Sequence, residues 1–286
     1  MERLRIEHVT DYRFHGPVTL NAHHLLLRPR EGHDVRIESS RLEISPQYWI
    51  RWHRDVFDNS IATVDFFAPS DRLRIVSRVV IQHYEVDAPN CGAEYELGSA
   101  ITPYAASDAV DLYPFQILSF PSDQAVVHEW LRGLELLDQP MRFIHFQSVI
   151  NQVIQRDFQY ESRDAEGVQP PSLTLGRRRG SCRDYATLFI EACRSMGLAC
   201  RFVSGYLHAP ATEMGNASTH AWAEVYLPEI GWKGFDPTIG EVTHNRHIAV
   251  AVARDPESIP PVSGSYLGPS NTRPWMFVGV QVNAIG

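Results

Sequence analysis

The chain has 286 residues, a formal net charge of −8 at pH 7 and 44% hydrophobic residues. This length is enough for one large or two ordinary domains with buried cores, and the composition is that of a globular protein. The acidic balance argues against nucleic acid or an anionic membrane surface as the main partner.

The N-terminal segment, residues 1–7, lacks the apolar stretch of a signal peptide, and no apolar run approaches the length of a membrane span. We therefore expect a cytoplasmic protein that neither crosses nor binds membranes.

The cysteine and histidine patterns do not indicate a metal site. The cysteines are Cys91, Cys182, Cys193 and Cys200, and no two of them form a C-x-x-C pair. His244 and His247 have helical spacing, but no acidic or cysteine ligand completes a set beside them. Phosphate-loop, dinucleotide-binding and G-x-S-x-G motifs are also missing from the sequence. We expect no metal and no cofactor.

Residues 1–90 predict a β domain. Apolar and polar residues alternate over much of 36–44 and 72–81, which is typical of strands with one buried and one solvated face. Turn residues at 45–46, 58–59 and 68–70 separate the strands. A β-sandwich or open sheet is expected here, serving as a scaffold or docking module.

A connector is predicted at 91–121, where the chain is rich in Pro, Gly and Tyr, and an α+β core is predicted at 122–286. Helical spacing of apolar residues begins after Pro121, and a second helix is expected over about 141–156. Residues 161–171 are polar and contain a Pro pair, which predicts a loop.

A strong helix start follows at Cys182. Ser181 can cap the helix, and Asp184 three residues later closes a capping box in its acidic form. An apolar face with helical spacing comprises Tyr185, Leu188, Phe189, Ala192, Cys193 and Met196. At the first helical position, off this face, Cys182 would meet free N–H groups and the positive end of the helix dipole, which favour a thiolate and an oxyanion. The alternative is a cysteine there by chance.

A β-hairpin over 219–236 predicts a partner for that thiol. If Leu227 pairs with Gly231 across the turn, Trp222 pairs with Asp236, and His220 is the diagonal neighbour of Asp236 on the same face. A carboxylate can then orient an imidazole that faces a thiolate, as in nucleophilic catalysis. A lone histidine at a strand start is usually structural. The hypothesis therefore depends on the helix start at Cys182 and the His220–Asp236 hairpin occurring together.

These segments resemble the bacterial transglutaminase-like family: GSCRDYA (180–186), RSMGLA (194–199), VSGY (203–206), HAWAEV (220–225) and GWKGFDPT (231–238). HLLLRPR (24–30) and DVFDN (55–59) resemble the associated N-terminal β domain, although Asp58 replaces the usual glycine. The resemblance implies a transglutaminase/papain-like core with Cys182 as nucleophile, His220 as base and Asp236 as its orienting group. It also suggests Tyr160 and Trp222 as substrate or oxyanion contacts, with packing as the alternative for each.

The implied activity is acyl chemistry on an amide of a protein or peptide substrate, by a protease, amidase or transglutaminase. Acetyl transfer by an arylamine N-acetyltransferase-like enzyme uses the same type of triad. The competing hypothesis is a binding or scaffold protein that keeps the fold without turnover. The oligomeric state, the substrate and the acyl acceptor are left open by the sequence.

Overall fold

The structure is a computed structural model that describes residues 1–84, 96–97, 104–137, 141–163, 165–208, 219–228, 230–269 and 274–286. Its helices are α1 (Ala106–Gln116), α2 (Gln124–Gly133), α3 (Phe143–Asp157), α4 (Pro171–Arg177) and α5 (Cys182–Ser195), with short 3-10 turns at Pro121–Asp123 and Pro256–Ser258. No described helix has the length and apolar character required to cross a membrane.

The strands of the first part of the chain are β1 (Glu2–Leu20), β2 (His23–Leu25), β3 (Val35–Ser45), β4 (Tyr48–Arg54), β5 (Ser60–Phe66), β6 (Ser70–His83), β7 (Glu96–Leu97), β8 (Met141–Arg142), β9 (Gln159–Tyr160) and β10 (Arg179–Gly180). Those of the second part are β11 (Cys200–Leu207), β12 (His220–Leu227), β13 (Gly231–Asp236), β14 (Glu241–Val242), β15 (His247–Ala253), β16 (Val262–Ser263), β17 (Tyr266–Leu267) and β18 (Trp275–Ala284). The predicted α+β class is confirmed.

The N-terminal region is built from two antiparallel sheets. One has the order β17-β1-β6-β3, with β18 also paired to β1, and the other has the order β16-β2-β5-β4. Their inward side chains form a shared apolar cluster of Val18, Leu20, Leu25, Leu27, Ala62, Val64, Leu73 and Ile75. The alternating segments of the sequence correspond to β3 and β6, so the period-two pattern identified real strands.

The last strands of the chain belong to these N-terminal sheets. β18 pairs with β1 from Leu4↔Ala284 to Arg13↔Trp275, while β16 pairs with β2 and β17 with β1. The sequence-based division at 122–286 had placed them with the core. The difference has a physical reason: a strand's own pattern reports which face is buried, but it does not identify a partner strand far away in sequence.

The core consists of a central helix against a five-stranded antiparallel sheet of order β14-β13-β12-β11-β15. The predicted apolar face of α5 is buried, and Phe189 stacks on Phe235 of β13 with ring centroids 5.5 Å apart. Alternate residues of β12 pack against α5 in the same cluster, namely Ala221, Ala223, Val225 and Leu227. The other face of β12 is therefore the one that presents His220.

Three segments complete the comparison with the sequence. α3 matches the helix expected at about 141–156 except for residues 141–142, which form β8. α4, which was not expected, begins at Pro171, the last residue of the predicted loop. Pro170-Pro171 reads as a loop signal, yet proline is well tolerated at the first helical position. Two parts of the predicted connector, residues 91–95 with Cys91 and residues 98–103, lie outside the described residues. Its described part contains α1, whose Leu112 packs on Ala199 of the core.

The N-terminal region covers the exposed edge of the core sheet. The Arg30 N–H donates a hydrogen bond of 2.8 Å to the Ala249 carbonyl of the edge strand β15. The Asn59 side chain donates to the Val252 carbonyl at 2.7 Å and accepts the Val252 N–H at 2.8 Å. These contacts satisfy backbone groups that an open edge would leave unpaired. Asp58, which replaces the family's usual glycine, has φ +62°, the left-handed conformation that glycine adopts at least cost.

Candidate active site

Cys182 is the first residue of α5, and a rigid N-terminal turn holds it there. The Asp184 carboxylate accepts the Ser181 backbone N–H at 2.8 Å, and the Ser181 side chain accepts the Asp184 backbone N–H, which together form the predicted capping box. The Ser181 hydroxyl also donates to this carboxylate at 2.8 Å. A Cβ added to Gly180 would lie 2.9 Å from the Asp184 Cβ, which explains the glycine at this position. The Cys182 side chain is partly exposed, whereas Cys193 and Cys200 are buried.

Asp184 also ties the preceding loop to the helix start. One carboxylate oxygen accepts Arg163 Nη1 at 2.6 Å and the Gln169 N–H at 2.8 Å. Burial alone would raise the pKa of Asp184, but these donors lower it, so the fully buried side chain stays ionised. The loop before Cys182 is thus fixed relative to the thiol.

The hairpin places His220 against Asp236, as the predicted register requires. β12 and β13 pair from Leu227↔Gly231 to Ala223↔Phe235, and Asp236 follows directly. His220 Nε2 lies 2.6 Å from Asp236 Oδ2, and both side chains are shielded from solvent. His220 Nδ1 is buried and makes no hydrogen bond to another described group, so it is the nitrogen left for Cys182.

The electrostatics of the His220–Asp236 pair favour a charged imidazolium next to a charged carboxylate. Burial alone would lower the pKa of His220, but the Asp236 carboxylate, with a smaller contribution from the Cys182 sulfur, raises it to about 10. Burial would likewise raise the pKa of Asp236, yet the attraction of His220 holds it well below its usual range. An imidazolium beside a sulfur stabilises a thiolate, so the arrangement is suited to a reactive cysteine.

His247, at the start of β15, is a residue of this site that the sequence reasoning missed. Its Nε2 lies 3.0 Å from Asp236 Oδ2, the oxygen that also contacts His220. The only signal in the sequence was its helical spacing from His244, which is irrelevant because His247 is in a strand. The contact depends on β15 pairing with β11, and local sequence patterns do not specify that pairing.

His220, Asp236 and His247 are also the described residues whose geometry most resembles a metal centre. Their ligand atoms all lie within 4.8 Å of one another. However, Asp236 Oδ2 is 2.6 Å and 3.0 Å from the two Nε2 atoms, which are hydrogen-bond distances. Both nitrogens use their proton on the carboxylate, whereas a metal would need their lone pairs. The cluster is therefore better described as a hydrogen-bonded carboxylate.

Tyr160 lies beside the thiol. It belongs to β9, which pairs with β10 immediately before Cys182. Partial burial, the negative charge of a Cys182 thiolate and a hydrogen bond from the tyrosine hydroxyl to that sulfur all raise the pKa of Tyr160. Since 45% of the side chain is exposed, it faces both the nucleophile and the solvent, as a substrate contact must.

Trp222 lies behind His220 rather than at an open surface. Its side chain is 2% exposed and packs with Val203 and Val252. The indole contacts the His247 ring edge-on, with centroids 5.2 Å apart. Gly205 makes room for it, because a Cβ there would collide with the indole and with the Ile248 carbonyl. This position favours a packing role for Trp222, and its suggested part in binding substrate or an oxyanion stays a prediction.

The fold and this constellation define a transglutaminase-like protein of the papain-like type. Residues 4–82 match the bacterial transglutaminase-like N-terminal region, and residues 144–237 match the transglutaminase-like superfamily. An uncharacterized protein of Mycobacterium tuberculosis is 30% identical over 278 residues, which cover 92% of this chain and 87% of the relative. The chain belongs to the bacterial transglutaminase-like family.

Two further similarities differ in extent. The crystal structure of a Cytophaga hutchinsonii protein proposed to be a cysteine protease aligns over 100% of this chain and 91% of its own, with a TM-score of 0.75 and 16% identity. At that identity the likeness shows the fold alone. A protein-glutamine gamma-glutamyltransferase of Pseudomonas aeruginosa is 34% identical over 80 residues, which cover 26% of this chain and 12% of that protein.

Proposed function

We propose that this protein is a cysteine-dependent amide hydrolase that acts on a protein or peptide through Cys182, His220 and Asp236. The observation that supports it best is that the two ring nitrogens of His220 have different partners. Its Nε2 is held by the buried Asp236 carboxylate, while its Nδ1 is left without a competing partner beside the Cys182 sulfur. Nucleophilic catalysis by cysteine requires such an oriented base next to the thiol.

In the first step the Cys182 thiolate attacks the carbonyl carbon of the amide. A C–S bond forms, and the carbonyl oxygen takes the negative charge. The first N–H groups of a helix have no partner within the helix, so those at the start of α5 are suited to stabilise this oxyanion. His220 Nδ1–H then donates its proton to the amide nitrogen, the C–N bond breaks, and ammonia or an amine leaves.

In the second step the thioester passes its acyl group to an acceptor. His220 Nδ1 takes a proton from water, the resulting hydroxide attacks, and the C–S bond breaks to return the thiolate and a carboxylic acid. An amine in place of water would give a new amide by the same route. The local similarity to a gamma-glutamyltransferase keeps amine transfer as the second candidate. Water exclusion from the closed site decides between the acceptors.

The reactivity of the thiol can be tested without knowing the substrate. We expect Cys182 in the whole protein to react with iodoacetamide at pH 6 about ten- to a hundred-fold faster than glutathione, because little of a free thiol is ionised there. Peptide mapping of the same sample supplies the buried Cys193 and Cys200 as internal controls. His220→Ala should bring Cys182 down to the rate of glutathione. Equal rates for wild-type Cys182 and glutathione would overturn the proposal.

The acyl chemistry needs a second experiment. Incubation with a peptide library, followed by intact-mass measurement, should reveal an acyl adduct that is absent from Cys182→Ala. A biotinylated amine added to the reaction distinguishes transfer from hydrolysis, and the protein's own side-chain amines compete little as acceptors because Lys233 is the only lysine. Partner capture that survives Cys182→Ala, without turnover by either form, would instead support a scaffold.

A further inference from the structure

His247 contacts the acidic member of the triad at the same carboxylate oxygen as the catalytic histidine. Its side chain is 2% exposed, and its Nε2 lies 3.0 Å from Asp236 Oδ2. Its other nitrogen, Nδ1, accepts the backbone N–H of His244 at 3.4 Å. A neutral imidazole has one donor and one acceptor nitrogen, so this acceptor role places the proton on Nε2 and makes His247 a donor to the carboxylate.

The carboxylate of Asp236 therefore has donors on both oxygens. Oδ1 accepts the Thr238 N–H at 2.9 Å, and Oδ2 accepts the Nε2–H of His220 and of His247. A buried carboxylate stays ionised when several donors contact it, and its orientation is fixed when the donors arrive from different elements. Here the donors come from β12, from β15 and from the turn after β13.

We propose that His247 is a positioning residue of the active site. Its Nε2–H holds Asp236 Oδ2 against His220 and keeps the carboxylate charged, so that His220 Nδ1 remains directed at Cys182. This inference deepens the proposed function and rests on it for its catalytic meaning. It concerns a neutral histidine without a direct contact to the substrate, since the described contacts of its ring are with the carboxylate, the His244 backbone N–H and neighbouring aromatic rings.

The surroundings of His247 keep it neutral and in place. Burial lowers the pKa of His247, only partly offset by its hydrogen bond to Asp236. The titratable side chains that face it are Asp236, His220 and His244, and Glu241 lies beyond His244 at 3.1 Å. The edge of the Trp222 ring system packs against it from β12. A cation at this position would oppose the imidazolium of His220, which a neutral donor does not.

Two substitutions separate the hydrogen bond from the packing. His247→Gln can keep an N–H donor at about the reach of Nε2, whereas His247→Met fills similar space without a donor. His244→Gln is the matched control, because His244 is exposed and contacts Glu241 rather than Asp236. We expect His247→Met to lower kcat/KM about ten- to a hundred-fold, the usual effect of losing a hydrogen bond to a charged group. His247→Gln should recover most of the activity.

A measurement independent of turnover completes the test. In ¹H–¹⁵N spectra of the imidazole rings, the wild type should show neutral His247 with its proton on Nε2 at pH 7. The hydrogen-bonded Nε2 proton of His220 should persist to lower pH in the wild type and His247→Gln than in His247→Met, since Asp236 with one donor fewer accepts a proton more readily. A His247 proton on Nδ1, or identical His220 behaviour in all three proteins, would overturn the inference.

These spectra also distinguish the two proposals. A wild type whose Cys182 is unreactive but whose His247 tautomer and His220 proton behave as described would refute the amide hydrolase and leave the carboxylate-positioning role standing. Normal Cys182 reactivity with unchanged His220 spectra in His247→Met would refute the positioning role alone.

Discussion

Replacing Asp236 by asparagine should abolish the activation of Cys182 while leaving the fold intact. The raised pKa of His220, about 10 against an ordinary 6.5, corresponds to roughly 5 kcal/mol of preference for the imidazolium, at about 1.36 kcal/mol per pKa unit. An amide has no charge to supply this preference, and burial then lowers the pKa of His220. We expect the rate of amide cleavage to fall about 10³- to 10⁴-fold, the range seen when the orienting carboxylate of a triad becomes an amide.

The assay is the rate of Cys182 alkylation by iodoacetamide as a function of pH, together with kcat/KM once a substrate is known. Glu224→Gln is the matched control: it makes the same chemical change in the same hairpin, at a carboxylate that pairs with Arg201 at 2.6 Å and not with His220. Alkylation of the Asp236→Asn variant at pH 6 with the wild-type rate would refute the electrostatic reasoning. Equal losses in both variants would show that the hairpin, not the charge, had been damaged.

The His220–Asp236 pair also makes the free energy of unfolding depend on pH. Because the pKa of His220 is raised on folding, its contribution to the free energy of unfolding is complete below pH 6.5 and is lost as the pH rises toward 10. Urea unfolding of the wild type should therefore show a decrease over this window that Asp236→Asn lacks. A parallel decrease in both proteins would assign the effect to other groups.

Three further substitutions test the structure around the site, each by urea unfolding. Asp184→Ala should destabilise the protein by about 3–5 kcal/mol, because it leaves a partly buried guanidinium and two backbone donors unpaired; a loss below about 1 kcal/mol would contradict that role. Asn59→Ala removes both bonds to Val252 and should cost about 2–3 kcal/mol, whereas an unchanged midpoint would show that solvent can replace them. Gly205→Ala places a methyl group against Trp222 and the Ile248 backbone carbonyl and should cost about 1–3 kcal/mol; an unchanged midpoint would show that both give way without cost.

Much of the site could be predicted from the sequence because its signals are local. The start of α5 depends on Ser181 and Asp184, which are three residues apart. The register of β12 and β13 is fixed by a tight turn, so the pairing of Leu227 with Gly231 determines where His220 meets Asp236. In both cases the interacting residues are neighbours in a regular element, and the physical rule acts over a few residues.

The parts that sequence reasoning missed depend on contacts between distant segments. His247 meets Asp236 only because β15 lies beside β11, and β18 returns to pair with β1 across almost the whole length of the chain. Neither pairing has a turn to set its register, and apolar alternation is compatible with several partners. The scaffold role of the N-terminal domain, the cytoplasmic location and the protein or peptide substrate stay predictions.

The return of β18 to β1 has a practical consequence for dissecting this protein. The two matched regions look separable along the sequence, but a fragment starting near residue 122 would release β18 without its hydrogen-bonding partner and uncover the edge of β15. Such a fragment would expose two unpaired strand edges, which favour aggregation. Limited proteolysis should accordingly yield nicked protein whose pieces stay associated, rather than a free catalytic half.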